Sequence, residues 1–208
     1  EKVTDIYCDT YVMDSVYESE IAKELDSIKF QYGIQLASKY TSDIQSVLDV
    51  GCGTGHSLDI YERCGVPDVH GIDPGIYSNM SDDKRISASF MVEVPQTFSN
   101  ISLITLWDTL EHIHDFKFML NSVYKALGKN GLCLIMVPNF LSLATRLMRE
   151  LSPVFQIDHL HYFSETSLGS TLQDCGFSVV HKETVISEID NCRNYLEFKE
   201  PYFSSPSC

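Results

Sequence analysis

The fold is decided by the stretch VLDVGCGTG at positions 47–55. A short apolar strand, Ser46–Val50, runs into glycines at positions 51, 53 and 55, and residues 56–64 have the pattern of a helix. Glycines let the backbone turn tightly and approach a ligand, and the first amides of the helix can receive an electronegative group. A dinucleotide site would have its third glycine at position 56, which is His56 here. The spacing therefore favours an amino-acid moiety over a pyrophosphate.

A carboxylate closes the next predicted strand, Val69–Asp73. An acid at the end of a second parallel strand can accept hydrogen bonds from both hydroxyls of a ribose. The strand, the glycine loop, the helix and Asp73 together predict a nucleoside-binding site.

Strands and helices alternate along the rest of the chain. Helices are predicted over 19–39, from an N-cap at Asp115 to Gly128, and from Ser164 to Gly176, and strands over Ile86–Met91, Ile101–Trp107, Leu132–Val137 and from Phe177 to Val180. Alternation implies right-handed crossovers onto a parallel sheet. We expect an α/β fold, a Rossmann-like, doubly wound, mostly parallel seven-stranded sheet with helices on both faces.

The net charge, the apolar runs and the cysteines indicate which partners and which cellular compartment the protein is expected to have. The 208 residues carry 15 Lys and Arg against 29 Asp and Glu, a net charge of −14, which disfavours a nucleic-acid partner. No apolar run is long enough for a membrane span. Seven cysteines without a CxxC pair predict reduced thiols and a cytoplasmic protein. Because the sequence begins at Glu1 rather than Met, the presence of an upstream module is left as an open question. The oligomeric state is left open as well.

Several motifs carry a family resemblance. VLDVGCGTG resembles the first motif of class I S-adenosylmethionine-dependent methyltransferases, HGIDP resembles the second, and the likeness extends over residues 44–180 through ITLWDTLEHI, KALGKNGLCLIMVPN, DHLHYFSETSL and LQDCGFSVV. It is closest to the small-molecule branch, which includes ubiquinone-biosynthesis O-methyltransferases and enzymes that tailor sugars and secondary metabolites. The resemblance implies S-adenosylmethionine as cofactor and S-adenosylhomocysteine as product.

The resemblance also implies which residues contact the cofactor. The glycine loop would hold the methionine part of the cofactor, and Asp73 would hold the ribose. The flat ring of Trp107 is suited to cover the cofactor. No Asp follows the third strand, so Glu93 or nearby backbone groups are expected at the adenine. The implied contacts are Asp49, Gly51, Cys52, Gly53, Gly55, Asp73, Trp107 and Asp108.

Acidic and imidazole groups follow the fourth strand. Asp108, Glu111 and His112 share one side if the segment is helical, and such a set can hold a divalent cation. The pattern resembles the E-x-x-E-H metal motif of ubiquinone-pathway O-methyltransferases and of small-RNA 3′-terminal 2′-O-methyltransferases. Local capping by Glu111 and His112 without a metal is the alternative, and it is the one favoured here.

His159 and His161 follow the fifth strand and precede a helix. An imidazole titrates near neutrality, as a general base for a hydroxyl acceptor should. The position of His159 matches a His that is common in this branch, so His159 is preferred to His161, with His112 as the second candidate catalytic residue. A structural role for either His159 or His161 is the alternative.

The chain is expected to comprise an N-terminal helical lid or extension, 1–40, and one methyltransferase domain, 41–208. The leading hypothesis is O- or C-methylation of a small-molecule acceptor, namely a sugar, a lipid precursor or a secondary metabolite. The alternatives are an RNA 3′-terminal 2′-O-methyltransferase with a metal at Asp108, Glu111, His112 and His159, and a non-catalytic cofactor-binding scaffold.

Overall fold

A computed structural model describes residues 20–74, 82–89, 91–152 and 154–184. Five helices are present in these ranges: α1 (Glu20–Ala37), α2 (His56–Arg63), α3 (Phe116–Ala126), α4 (Leu143–Met148) and α5 (Glu165–Asp174). The strands are β1 (Ser46–Val50), β2 (Asp68–Asp73), β3 (Ile86–Ala88), β4 (Ile101–Trp107) and β5 (Leu127–Met136). Single 3-10 turns cover Leu110–His112 and Arg149–Leu151.

The five strands form one parallel sheet in the order β3-β2-β1-β4-β5. The chain moves outward from β1 to β3 on one side and then returns to place β4 on the other side of β1. The carboxyl ends of β1 and β4 therefore flank the point where the strand order reverses, which is where parallel sheets bind ligands.

Helices cover both faces of this sheet. Side chains alternate along β4, so that Ile104 and Leu106 pack on one face while Leu103 packs on the other. The first face is covered by α3, through Met119, Leu120 and Val123, and by α5. The second is covered by α1 and α2, whose Phe30, Ile34, Leu58 and Tyr61 share a core cluster with Leu103. The α/β, doubly wound prediction is confirmed.

Most helices and strands lie where the sequence predicts them. The N-cap of α3 is Asp115, whose side chain accepts a hydrogen bond from the amide of Phe118, and Ser164 caps α5 with a reciprocal bond to Ser167. The strand predicted to begin at Leu132 starts earlier, at Leu127, with an irregular register opposite Ile101 and Leu103. β3 ends at Ala88, three residues before the predicted end at Met91.

Seven strands were expected, and the described residues form five. The strand predicted from Phe177 to Val180 is one difference: the amide of Phe177 closes the end of α5 by a bond to the carbonyl of Leu172 at 2.9 Å, and residues 177–180 join no ladder among the described residues. Residues 185–208 lie outside the described ranges, as do residues 1–19 of the expected N-terminal extension.

In the ranges that the structure covers, no helix combines the length and the apolar composition that a bilayer crossing requires.

Candidate functional site

The glycine loop lies beyond the carboxyl end of β1, where the sequence predicts the cofactor. Gly51 has φ +84°, and a Cβ there would overlap the side chain of Thr109. Gly53 has φ +53°, and no heavy atom lies within 4 Å of the position of a Cβ. The loop therefore packs closely on the β4 side at Gly51 and is open at Gly53, which is the side a ligand can approach.

Asp73 joins the second strand to this loop. Its Oδ2 accepts a hydrogen bond from the amide of Gly53 at 2.9 Å. The carboxylate thus lies at the open part of the loop, as a ribose contact requires. That role stays a prediction.

Asp49 lies beneath the loop and is only 2% exposed. One oxygen accepts a hydrogen bond from the hydroxyl of Ser57 at the start of α2, and the other accepts one from Thr105 of β4 at 2.6 Å. Burial raises the pKa of this carboxyl to about 6. In this structure Asp49 fastens the loop to α2 and to the sheet, and a direct cofactor contact remains a prediction.

Cys52 is likewise turned inward. Its side chain is buried, and a Cβ on Gly71 of β2 would overlap its sulfur atom. Burial raises the pKa of the thiol above its usual range. The backbone of Cys52, rather than its sulfur, is therefore what this residue presents at the loop.

Trp107, at the end of β4, is held between the sheet and α1. Its indole Nε1 donates to the hydroxyl of Tyr61 at 2.7 Å, and its ring meets Phe30 edge-on with centroids 5.6 Å apart. Gly33 allows the approach, because a Cβ there would lie 2.6 Å from the indole ring. Trp107, which was predicted to cover the cofactor, is thus itself covered by α1.

Asp108 has φ +48°, an uncommon value for a residue other than glycine, and this turns it out of the line of β4. Its carboxylate lies 3.4 Å from the Nζ of Lys29 on α1, which also pairs with Asp26 at 2.9 Å. Burial acts to lower the pKa of Lys29, but the two carboxylates outweigh it and the pKa is raised. Lys29 therefore stays charged at the edge of the site.

Glu111, His112 and His159 form a group in which one ligand-capable atom of each lies within 4.8 Å of the others. The metal alternative from the sequence was Asp108, Glu111 and His112, with His159 added in the RNA-methyltransferase alternative. Asp108 is outside the group because the helical segment begins only at Leu110 and Asp108 faces Lys29. Glu111 is 1% exposed, and burial raises its pKa to about 8.

Backbone carbonyls determine the tautomers of both histidines. The Nδ1 of His112 lies 3.0 Å from the carbonyl oxygen of Asp158, and that of His159 lies 2.8 Å from the carbonyl oxygen of Val154. A carbonyl only accepts, so each Nδ1 carries a proton, and in the neutral form of such an imidazole Nε2 is the acceptor atom. His161 is the reverse, since its Nε2 lies 3.1 Å from the carbonyl of His114. The two histidines thus bond backbone carbonyls through different ring nitrogens, and the preference for His159 as a catalytic residue stays a prediction.

Sequence reasoning missed the residues that support the site from within. Thr105 and Tyr61 link Trp107 to Asp49, and the only sequence signal was a threonine inside the apolar run of β4. Lys29 gave no signal, because it lies on a helix assigned only a packing face. His56, which stands at the position of the third glycine of a dinucleotide motif, bonds Ser27 of α1 through its Nε2 at 3.0 Å.

This geometry defines a class I methyltransferase: a parallel sheet whose first strand ends in a glycine loop and whose second ends in an acid bonded to that loop. Residues 20–182 match a family described as a methyltransferase domain. The chain belongs to this family, and it is an S-adenosylmethionine-dependent methyltransferase. No curated protein matches the chain in sequence.

Solved structures share the fold at low identity. An S-adenosylmethionine-dependent methyltransferase from Archaeoglobus fulgidus is 16% identical, with 90% of this chain and 93% of that chain covered and a TM-score of 0.62. One from Clostridium acetobutylicum is 14% identical, with coverages of 83% and 92% and a TM-score of 0.63. Phosphoethanolamine N-methyltransferase 2 from Haemonchus contortus, solved with S-adenosyl-L-methionine, is 15% identical, with coverages of 99% and 52% and a TM-score of 0.60.

Proposed function

We propose that this methyltransferase acts on the hydroxyl group of a small molecule: a sugar, a lipid precursor or a secondary metabolite. The observation that carries the proposal is the group of Glu111, His112 and His159, in which one ligand-capable atom of each residue lies within 4.8 Å of the others and the Nδ1 of each histidine bonds a backbone carbonyl. A hydroxyl acceptor needs such a base, because its proton must leave as the methyl group arrives.

The reaction is an in-line displacement. The acceptor oxygen forms a bond to the methyl carbon while the bond from that carbon to the sulfonium sulfur breaks. The hydroxyl proton passes to the Nε2 of His159, and S-adenosylhomocysteine is released. Positioning of the two reactants supplies much of the rate enhancement, which suits a site built on the rigid ends of β1, β2 and β4.

Surface chemistry supports a small acceptor with apolar character. Leu141, Leu143 and Leu147, between β5 and α5, are all more than half exposed. The net charge of −14 opposes a phosphate backbone. Within the expected N-terminal extension, the described helix α1 lies across Trp107 and meets Asp108 through Lys29.

The test is methyl transfer from isotope-labelled S-adenosylmethionine to a panel of sugars, phenols, prenylated phenols and short RNA. We expect incorporation into a hydroxylated small molecule, with kcat lowered at least about 100-fold in His159→Gln. His161→Gln, whose ring bonds His114 instead, should keep the parent rate. Labelling confined to RNA would refute the proposal.

A further inference from the structure

The cofactor site is rich in negative charge. Asp49 lies beneath the glycine loop, the carboxylate of Asp73 bonds the amide of Gly53, and Asp108 follows β4. This charge suits most of the cofactor, because the sulfonium and the ammonium group of S-adenosylmethionine are both positive. The carboxylate of its methionine part is the exception, since like charges repel at short range. That carboxylate needs a cation or hydrogen-bond donors close by.

The glycine loop supplies few donors for it. Four of its amides already donate within the protein, to carbonyls of the loop and of β2 and to the carboxylate of Asp73: those of Gly51, Cys52, Gly53 and Gly55. An amide has a single hydrogen, so a further anion would have to compete with these acceptors. A charged side chain is therefore the more effective partner.

Lys29 of α1 places an ammonium group at this edge of the sheet. Its Nζ lies 3.4 Å from the Oδ2 of Asp108, just beyond β4, and 5.9 Å from the centre of the Trp107 ring at the end of the same strand. Its charge also reaches Asp49: burial raises the pKa of that carboxyl, and Lys29 is among the groups that oppose the rise. Lys29 therefore acts on the ends of both β1 and β4, where a parallel sheet binds its ligand.

The ammonium group has capacity for another acceptor. It has three N–H donors, and within the described ranges its acceptors are two carboxylates, Asp26 at 2.9 Å and Asp108 at 3.4 Å. The side chain of Lys29 is 24% exposed, which leaves a path for a ligand. A third acceptor can thus be added without breaking either ion pair.

Helix packing holds Lys29 in place. The next residue, Phe30, is buried with its ring edge-on to Trp107, and His56 at the start of α2 bonds Ser27 at 3.0 Å. A cation that is already positioned loses little freedom on binding, so more of its interaction energy contributes to affinity.

Arg85 and His56, the other basic side chains next to the loop and β3, are engaged elsewhere. The guanidinium of Arg85 contacts three carboxylates, those of Asp59, Glu62 and Asp83. His56 bonds α1 through its Nε2. Of the lysines and arginines in the part of the chain that the structure describes, Lys29 is the one whose charge acts on Asp49 and Asp108.

We propose that Lys29 is a cofactor-binding residue, whose ammonium group receives the carboxylate of the methionine part of S-adenosylmethionine. Hydrogen bonds between two charged groups are the stronger ones in proteins. Helix α1 is then a wall of the cofactor site and not only a cover for Trp107. The contact concerns the cofactor, so it does not depend on which acceptor the enzyme methylates.

Calorimetry without acceptor tests the contact with two ligands: S-adenosylhomocysteine, and its aminopropyl analogue, which lacks only the carboxylate. The parent protein should bind S-adenosylhomocysteine at least about tenfold more tightly than the analogue. Lys29→Met should bind S-adenosylhomocysteine at least about tenfold more weakly than the parent does, and should bind the analogue as the parent does. Lys39→Met is the matched control, because it removes the same charge from an exposed position after the far end of α1. It should bind both ligands like the parent.

Equal losses of affinity for the two ligands in Lys29→Met would overturn the contact, because a residue that only supports α1 affects both alike. Parent-like binding of S-adenosylhomocysteine by Lys29→Met would overturn it as well. So would a parent protein that binds the two ligands equally.

Lysine acetylation of the parent protein, followed by mass spectrometry, decides the matter if Lys29→Met fails to fold. At equal saturation, S-adenosylhomocysteine should slow the acetylation of Lys29 more than the analogue does, while Lys39 reacts at one rate with both. Equal protection of Lys29 by the two ligands would contradict the contact. Both measurements omit the acceptor, so a failure of the proposed hydroxyl chemistry leaves their outcome unchanged.

Discussion

The indole Nε1 of Trp107 donates a hydrogen bond to the hydroxyl of Tyr61 at 2.7 Å, and this contact starts a buried chain that ends at Asp49. The Tyr61 hydroxyl lies 3.2 Å from the hydroxyl oxygen of Thr105, which bonds Asp49 at 2.6 Å. Trp107, which α1 covers, is thereby connected to Asp49, the acid that links the glycine loop to α2 and to the sheet.

Tyr61→Phe should lower the free energy of unfolding by about 1–3 kcal/mol, because it removes the hydroxyl that accepts the hydrogen bond of the Trp107 indole in a buried region, while Thr105 keeps its bond to Asp49. Urea denaturation measures the change. Tyr124→Phe is the control: Tyr124 is half exposed on α3, and its change should stay within about 0.5 kcal/mol. Equal effects in the two variants would show that the buried chain contributes no stability.

Gly53→Ala should weaken S-adenosylmethionine binding at least tenfold, because its Cβ would enter the open side of the loop. Gly65→Ala provides the comparison. Both glycines have positive φ and open space where a Cβ would lie, but Gly65 follows α2, away from the loop. Each variant should lose about 1–2 kcal/mol of stability from backbone strain, and calorimetry should find weaker binding in Gly53→Ala alone. Parent-like affinity there would argue against a cofactor at this position.

Asp49 should make stability fall as the pH rises through its folded-state pKa of about 6. A carboxyl whose pKa is raised above the usual 3.8 keeps its proton in the folded chain at pH values where the unfolded chain has lost it. Its contribution is complete below about pH 4 and lost above pH 6, and it amounts to about 3 kcal/mol.

Asp49→Asn removes this titration and keeps the size of the side chain. The difference in unfolding free energy between the parent and Asp49→Asn should shrink or reverse by about 3 kcal/mol between pH 4 and pH 7. Denaturant unfolding over that range measures it, with all other groups titrating in both proteins. Parallel pH curves would mean that Asp49 keeps an ordinary pKa.

Phe30→Ala should cost about 3–5 kcal/mol, because Phe30 is buried against Trp107, Tyr61 and His56. Leu25→Ala, on the same helix but 59% exposed, should change stability by no more than about 0.5 kcal/mol. Thermal or urea unfolding of the two variants checks whether α1 belongs to the cooperative core. A small loss in Phe30→Ala would contradict the packing described for α1.

Elements with clear local signals were predicted closely. β4 has the predicted bounds, Ile101–Trp107, because a continuous apolar run predicts a strand buried on both faces. The cap at Asp115 and the start of a helix near Ser164 were also predicted, since capping depends on neighbouring residues. The start of β5 was predicted too late, because Leu127–Gly131 has turn-forming residues and joins the ladder only through pairing with Ile101.

The candidate site likewise has a part that local sequence signals predicted and a part that they did not. The order of the glycines and the acid of β2 could be predicted, and the contact between Gly53 and Asp73 agrees with it. The orientation of Asp108 could not, because its φ of +48° follows from the junction of β4 with the next turn, where its amide bonds Met136 of β5. Lys29 could not be placed either, since its partner is remote in sequence.

The sequence by itself determined the class of protein, because alternating apolar segments specify a parallel α/β sheet and a glycine loop between a strand and a helix specifies the cofactor site. Only the tertiary structure decided which side chains after β4 and β5 lie close together. Glu111 joins His159 rather than Asp108, because its carbonyl oxygen holds the Leu160 and His161 amides while Asp108 turns toward Lys29. These contacts depend on chain segments that pack together only in the folded protein, and no local pattern encodes them.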